Sequence, residues 1–230
     1  MHREKPLAIA IDGPSGAGKS TIARILAEEL GFLYVDTGAL YRAVGYRMLA
    51  AGVDPADREA VISQLTGLRA ELRHENGEQR VYINGEDITG RIRTPEVSMA
   101  ASAVSAIPEV RAFLFQLQRD TAARQDVIMD GRDIGTVVLP GADLKIFLTA
   151  SAEDRAARRY EELRRKGADV AYDQVLADMI KRDYDDSHRE AAPLRPAEGA
   201  RQVDTTGNTL RQSVQQLKSL VERELGILSR

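Results

Sequence analysis

Gly13-Pro14-Ser15-Gly16-Ala17-Gly18-Lys19-Ser20 fits the spacing G-x-x-x-x-G-K-[ST], the P-loop pattern. The chemistry it points to is the binding of a polyphosphate. Glycines let backbone N–H groups turn inward around phosphate oxygens, and a helix beginning at Lys19 adds the positive end of its dipole. Lys19 would reach the β- and γ-phosphates, and the Ser20 hydroxyl would hold Mg2+. A second concentration of chemistry is cationic. Arg155, Arg158, Arg159, Arg164, Arg165 and Lys166 crowd one segment, Arg182 and Arg189 lie further along, and Arg42 and Arg132 stand just beyond predicted strands. Arg155, Arg158 and Arg159 share one helix face by their i, i+3, i+4 spacing. Taken alone, this segment reads as a solvated, salt-bridged face, because Glu161 and Glu162 are interleaved. Beside a polyphosphate cradle it reads differently. Guanidinium groups clamp phosphate bidentately and keep their charge, which suits a reaction that brings two polyanions together. An acceptor oxygen that is already anionic needs no general base, so catalysis would be positioning plus charge neutralisation.

These side chains need a frame, and the apolar pattern supplies one. Leu7-Ala8-Ile9-Ala10-Ile11 is a short apolar run of the kind buried on both faces of a parallel sheet. After the glycines, Ile22, Ile25, Leu26 and Leu30 recur at helical spacing until Gly31. Further strand-like runs are Phe32–Val35, Val127–Met129 and Leu144–Leu148, with a short one near Val203. Leu40, Val44 and Met48 mark one helix, Val110, Phe113, Leu114 and Leu117 another, and Leu210, Val214, Leu217, Val221 and Leu225 the last. This alternation predicts an α/β fold, a parallel sheet wrapped by helices. Two stretches interrupt it. Around residues 65–93, Leu68, Ala70 and Leu72 and then Val81 and Ile83 alternate with polar residues, with turns at Asn76-Gly77 and Asn84-Gly85, which predicts a small antiparallel meander. Residues 155–189 read as two charged helices hinged at Gly167.

Composition limits the classes of function. The 230 residues carry a formal charge of −3, so no global field favours nucleic acid or acidic membranes, and anion binding must be local. There are no cysteines, which excludes disulfides and thiolate metal sites. The start of the chain has too few apolar residues for a signal-peptide core and no later run approaches a membrane span, so a cytoplasmic protein without a membrane partner is expected.

With these residues in place, the chain resembles the bacterial-type cytidylate kinases over essentially its whole length. The resemblance rests on Ile11–Ser20, Asp36-Thr37-Gly38-Ala39-Leu40-Tyr41-Arg42, Asp130-Gly131-Arg132-Asp133-Ile134-Gly135-Thr136 and Lys145-Ile146-Phe147-Leu148. It is completed by Arg182-Asp183, Asp186, Arg189 and Ala192-Pro193-Leu194. It implies a P-loop kinase fold in one domain: a core of about 1–64, 94–154 and 190–230, a monophosphate-side insert of about 65–93, and a helical lid of about 155–189. Gly13, Pro14, Ser15, Gly16, Ala17, Gly18, Lys19, Ser20 and Thr21 would bind ATP. Arg42, Arg132 and Arg189 would hold the CMP or dCMP phosphate, with Thr37 and Tyr41 lining the same pocket. Ser102, Arg111 and Asp133 would read the cytosine edge, and Arg182 with Asp186 would hold the sugar hydroxyls. Arg155, Arg158 and Arg159 resemble lid arginines. Lys19, Arg132, Arg155, Arg159 and Arg182 would form the catalytic set, Mg2+ would be the cofactor on Ser20, with Asp130 as a candidate second ligand, and the protein would be a monomer with no nucleic-acid partner. Threonine at 37 departs from the serine expected there but keeps the hydroxyl.

The cytosine assignment has a physical basis. Cytosine presents an amino donor where uracil presents a carbonyl acceptor, and a carboxylate at Asp133 accepts from the first and repels the second. The residues alone leave other readings open: Asp133 pairing with Arg132 or capping a turn, a kinase for UMP or a metabolite hydroxyl, or a nucleotide-hydrolysing switch. His2, His74 and His188 have no metal-ligand spacing, and Tyr46, Tyr82 and Tyr160 read as packing residues.

Overall fold

A computed structural model describes residues 5–75 and 77–227; His2 and Asn76 lie outside the described residues. The apolar runs become a five-stranded sheet in the order β2-β6-β1-β7-β8, formed by Leu33–Asp36, Val127–Gly131, Ala8–Asp12, Leu144–Thr149 and Arg201–Asp204. β1 pairs in parallel with β6 and β7, and β7 with β8. β1 therefore sits in the middle, and the glycine loop departs from its carboxyl end, the side on which open α/β sheets bind ligands.

Compactness divides the chain into two units. The first takes the described parts of Met1–Tyr34 and Gln125–Arg230. Its core packs Ile9, Ile11, Ile128, Ile146 and Leu148 of the sheet with Ile22 and Leu26 of α1 (Lys19–Leu30) and Leu217 and Val221 of α8 (Leu210–Leu225). α8 opens with a capping box between Thr209 and Gln212 and closes on Gly226. The charged stretch in this unit forms α6 (Ala152–Arg165) and α7 (Tyr172–His188), broken at Gly167 as the sequence predicts. These two helices share a small core of Ala156, Val175 and Met179, against which Tyr160 and Tyr172 pack, edge to face with one another.

The second unit is Val35–Arg124. It holds α2 (Thr37–Ala50), α3 (Arg58–Leu65), α4 (Pro95–Ser105), α5 (Pro108–Arg124) and the predicted meander, β3 (Ala70–Glu75), β4 (Glu78–Ile83) and β5 (Glu86–Asp87). The meander pairs Ala70 with Ile83 and Leu72 with Val81. Val81, Ile83 and Ile88 join Leu40, Val44, Met48, Val104 and Leu114 in a core separate from that of the first unit. Apolar periodicity does not reveal α3 and α4. Both announce themselves by caps rather than by long apolar stripes: Asp57 accepts from Ala60 N, and Thr94 accepts from Val97 N with Pro95 in the first turn.

Among the described residues no single helix is long and apolar enough to cross a membrane.

Gly45 shows how tightly α2 meets α4. A Cβ there would lie 2.8 Å from Ala101 N and 3.0 Å from the Ala100 carbonyl carbon, both backbone atoms. Helix propensity favours alanine over glycine by about 1 kcal/mol, but overpacking of this kind costs about 1–3 kcal/mol. Gly45→Ala should therefore lower the unfolding free energy in denaturant titration despite its better propensity, and a stabilised variant would contradict this packing.

Candidate active site

The loop after β1 is shaped by backbone contact. Gly13 has φ +149°, and a Cβ on it would fall 1.9 Å from the Leu148 carbonyl oxygen of β7, so only glycine lets the loop leave the sheet here. Gly18, at φ +86°, stands at the N-cap of α1 without any side-chain cap, which leaves the N–H groups of that first turn for a ligand. Lys19 is buried, and its Nζ donates to the Pro14 carbonyl at 2.7 Å, folding back across the loop. Ser20 Oγ donates to Asp130 Oδ2 at 2.7 Å, and Tyr34 OH donates to Asp130 Oδ1 at 3.1 Å. Asp130 is the buried acid near the end of β6. A hydroxyl and a carboxylate so close suit Mg2+, which takes one or two protein oxygens and keeps water and phosphate oxygens for the rest. Among the described residues no group of three or more His, Cys, Asp or Glu forms a metal cage, and that mode of binding needs none.

Asp12 belongs to the quoted motifs without a role in them, and it joins the two loops. It ends β1, is buried, and accepts from Ile134 N at 2.8 Å and Gly135 N at 2.7 Å. Those N–H groups open a π-helical turn, Ile134–Val138, immediately after Arg132-Asp133. Burial pushes the Asp12 carboxyl up to about 6, against the pull of its two backbone donors, and neighbouring Asp133 pushes the same way. Asp133 is buried at the head of the turn, and its carbonyl accepts from Val137 N and Val138 N.

The arginines of this unit are organised by carboxylates. Arg132 Nε donates to Asp186 Oδ2 at 2.9 Å, and Arg189 Nη1 lies 3.9 Å from Asp186 Oδ1. Burial alone would push the Asp186 carboxyl up, yet Arg132, Arg182 and Arg189 together hold it below its usual range. Three arginines around one carboxylate gather the guanidinium groups of this unit into one site. It adjoins the P-loop, because Lys19 is pushed down to about 7 first by burial and next by Arg132, against Asp130, Asp12 and Asp186.

The three arginines on one face of α6 differ in their surroundings. Arg155 is buried and turns away from solvent: Nε donates to Ala150 O, Nη1 to Ser15 O at 2.9 Å and to Asp183 Oδ1 at 3.1 Å, and Nη2 to Asp183 Oδ2 at 2.5 Å. It thus ties α7 to the P-loop. Arg158 donates to Asp154 and to Thr205 O, and Arg159 to Glu162, both partly exposed. His188 stacks on exposed Tyr184.

The remaining predicted residues belong to the second unit. Asp36 caps α2 by accepting from Ala39 N at 3.0 Å, and its other oxygen accepts from Arg42 Nη2 at 2.6 Å. Arg42 Nε is buried with no hydrogen-bond partner among the described residues, an open donor for an anion. Thr37 is buried in the first turn of the same helix. The Arg111 guanidinium lies 5.6 Å from the centre of the Tyr41 ring and donates to Ser105 O, while Ser105 Oγ donates to Ser102 O. So Tyr41, Arg42, Ser102 and Arg111 fall in one unit, and Lys19, Arg132, Asp133, Arg182, Asp186 and Arg189 in the other.

A sequence model of the family described as cytidylate kinase matches residues 9–223. The cytidylate kinase of Caldicellulosiruptor bescii is 51% identical over 216 residues, covering 94% of this chain and 96% of its own length. That of Carboxydothermus hydrogenoformans is 48% identical over 222 residues, covering 96% and 100%. Among solved structures, an uncharacterized protein from Eubacterium ventriosum matches with a TM-score of 0.52 at 12% identity, covering 94% of this chain and 98% of its own, which bears on the fold alone.

The low Lys19 value has a measurable consequence. Between about 7 and its ordinary 10.5, Lys19 carries less than a full proton in the free chain. A bound polyphosphate favours the charged form and restores it. Calorimetry of tripolyphosphate binding at about pH 8.5 in buffers of different ionisation enthalpy should show proton uptake, fading below about pH 7. Lys19→Arg, which stays charged throughout, should lack it. Equal uptake in both proteins would contradict the assignment.

Proposed function

The chain belongs to the cytidylate kinase family, and from that premise we propose that it transfers the γ-phosphoryl group of MgATP to CMP or dCMP. The observation that carries the reading is the run of cations in the first unit, Lys19 of the P-loop beside Arg132, with Arg182 and Arg189 around Asp186. A phosphoryl donor and a phosphate acceptor both need such a place. The bond from the γ-phosphorus to the β,γ-bridging oxygen breaks and one from a CMP phosphate oxygen forms, giving ADP and CDP. That acceptor oxygen is anionic already, so no proton must be removed. The chain's task is to hold two anions in line and neutralise charge as it spreads in the transition state.

Each residue has a part in this. The loop from Gly13 to Thr21 would bind the ATP phosphates, with Lys19 leaving the Pro14 carbonyl for the transferring group. Ser20 and Asp130 would hold Mg2+, which when bound shields phosphate charge. Arg132 and Arg189 would take the acceptor phosphate, Arg182 and Asp186 the sugar hydroxyls, and Asp133 the cytosine amino group. In the second unit, Arg42, Thr37 and Tyr41 are assigned to the acceptor phosphate, and Ser102 and Arg111 to the base. Arg158 and Arg159, partly exposed and each paired with a surface acid, are the lid arginines free to re-aim when the lid closes and excludes water. A monomer in the cytoplasm with small-molecule partners completes the reading.

The test is diphosphate formation from MgATP across CMP, dCMP, UMP, AMP and GMP with a no-acceptor blank. Turnover concentrated on CMP and dCMP with a quiet blank is expected. ATP hydrolysis indifferent to acceptor would favour a nucleotide switch instead. Lys19→Met should cost on the order of a hundredfold or more in kcat with an unchanged circular dichroism spectrum. Asp133→Ala should narrow the preference for CMP over UMP by roughly tenfold or more, and unchanged selectivity would remove Asp133 as the reader of the base.

A further inference from the structure

Gln79 lies on the meander, in β4, and its position is at odds with the local pattern. Side chains alternate along a strand, so Gln79 shares a face with Val81 and Ile83, both buried in the second unit's core. An amide at that position needs a partner, and it has two. Asp36 N donates to Gln79 Oε1 at 2.8 Å, and Gln79 Nε2 donates to Asp36 O at 3.1 Å. Asp36 ends β2, the edge strand of the large sheet, where its N–H and C=O have no further strand to meet among the described residues. The Gln79 amide supplies the donor and acceptor that a neighbouring strand would have offered.

The consequence reaches Arg42. With its backbone held from outside, Asp36 uses one carboxylate oxygen to cap α2 and the other to hold the Arg42 guanidinium at 2.6 Å. Gly38 makes the fold-back feasible: a Cβ there would stand 3.1 Å from Arg42 Nη1 and 3.1 Å from Asp36 Oδ1. Arg42 is thereby anchored by one nitrogen, while its buried Nε has no hydrogen-bond partner among the described residues. Every link in this chain lies within the second unit.

We propose that Gln79 is a positioning residue for the acceptor: it fixes Asp36, and through Asp36 it aims Arg42 at the acceptor's phosphate. The inference rests on the reading of Arg42 as an acceptor ligand, and it gives the meander insert a definite task. The insert carries the amide that completes the edge of β2 where the arginine is set. A charged or apolar residue of the same length would keep the strand but lose one or both bonds.

A double-mutant cycle tests it. Gln79→Met keeps length without either hydrogen bond, and Gln79→Glu keeps an acceptor without the donor. Both should raise the KM for CMP by about tenfold, with the KM for ATP within about twofold of wild type. Glu78→Gln, on the exposed neighbouring position, should change neither. In an Arg42→Ala background the added effect of Gln79→Met on the CMP KM should shrink to about twofold or less, because its route runs through Arg42. Multiplicative effects in the double variant would overturn the proposal, as would a fall in both substrates' affinities alongside a lowered melting temperature, which would mark Gln79 as merely structural. If Arg42→Ala alone leaves the CMP KM unchanged, the reading of Arg42 fails first and the role of Gln79 falls with it.

Discussion

A lysine buried beside an arginine is an unfavourable arrangement, and much of the first unit is explained by what makes it tolerable. Burial first and Arg132 next disfavour the charged form of Lys19, and the cost appears as the lysine's readiness to lose its proton. The compensation comes from acids that are themselves buried. Asp130 and Asp12 flank the lysine, and Asp186 gathers Arg132, Arg182 and Arg189. A truncated acid here would leave cations uncompensated, which is far more damaging than removing a surface pair. Cations and acids are thus interleaved around the P-loop lysine, with Lys19 and Arg132 on one side and Asp12, Asp130 and Asp186 on the other.

Geometry answers to the same requirement. Asp12 stands at the end of the central strand and grips the π-turn after β6, so the loop bearing Arg132 is tied to the strand that launches the P-loop. Arg155 does the corresponding work for the helix pair α6 and α7, joining Asp183 of α7 to the Ser15 carbonyl. Gly16 belongs to this contact as well, since a Cβ there would meet Met179 at 3.1 Å and Arg155 at 3.2 Å. The α6–α7 pair is thus keyed to the P-loop by one guanidinium and one missing side chain.

Much of this is legible in residue types and spacing. The P-loop, the alternation of apolar strands with helices, the meander and the broken pair of charged helices all carry local signals: glycine spacing, period, and turn residues. The roles of Asp12, Asp183 and Gln79 do not, because each depends on a partner far along the chain that no spacing reveals. Gln79 leaves a faint mark, a polar residue in phase with Val81 and Ile83. Arg155 illustrates the reverse. It shares a helix face with Arg158 and Arg159 by spacing, yet its side chain is drawn inward by Asp183 while the other two pair with surface acids. Helical periodicity gives a direction, and the charges across the gap decide which side chain takes it. α3 and α4 escape a reading by period because their caps, at Asp57 and Thr94, are short polar signals that carry no periodic stripe.

In the proposed reaction one cluster of cations serves two phosphate groups at once. It is tested most directly by the equilibrium binding of a two-headed ligand, adenosine and cytidine joined through five phosphates, compared with ATP and CMP separately. The joined ligand should bind at least a hundredfold more tightly than either part, and Arg132→Ala should return it to roughly the affinity of ATP alone. A joined ligand that binds no better than ATP in the unaltered protein would contradict it.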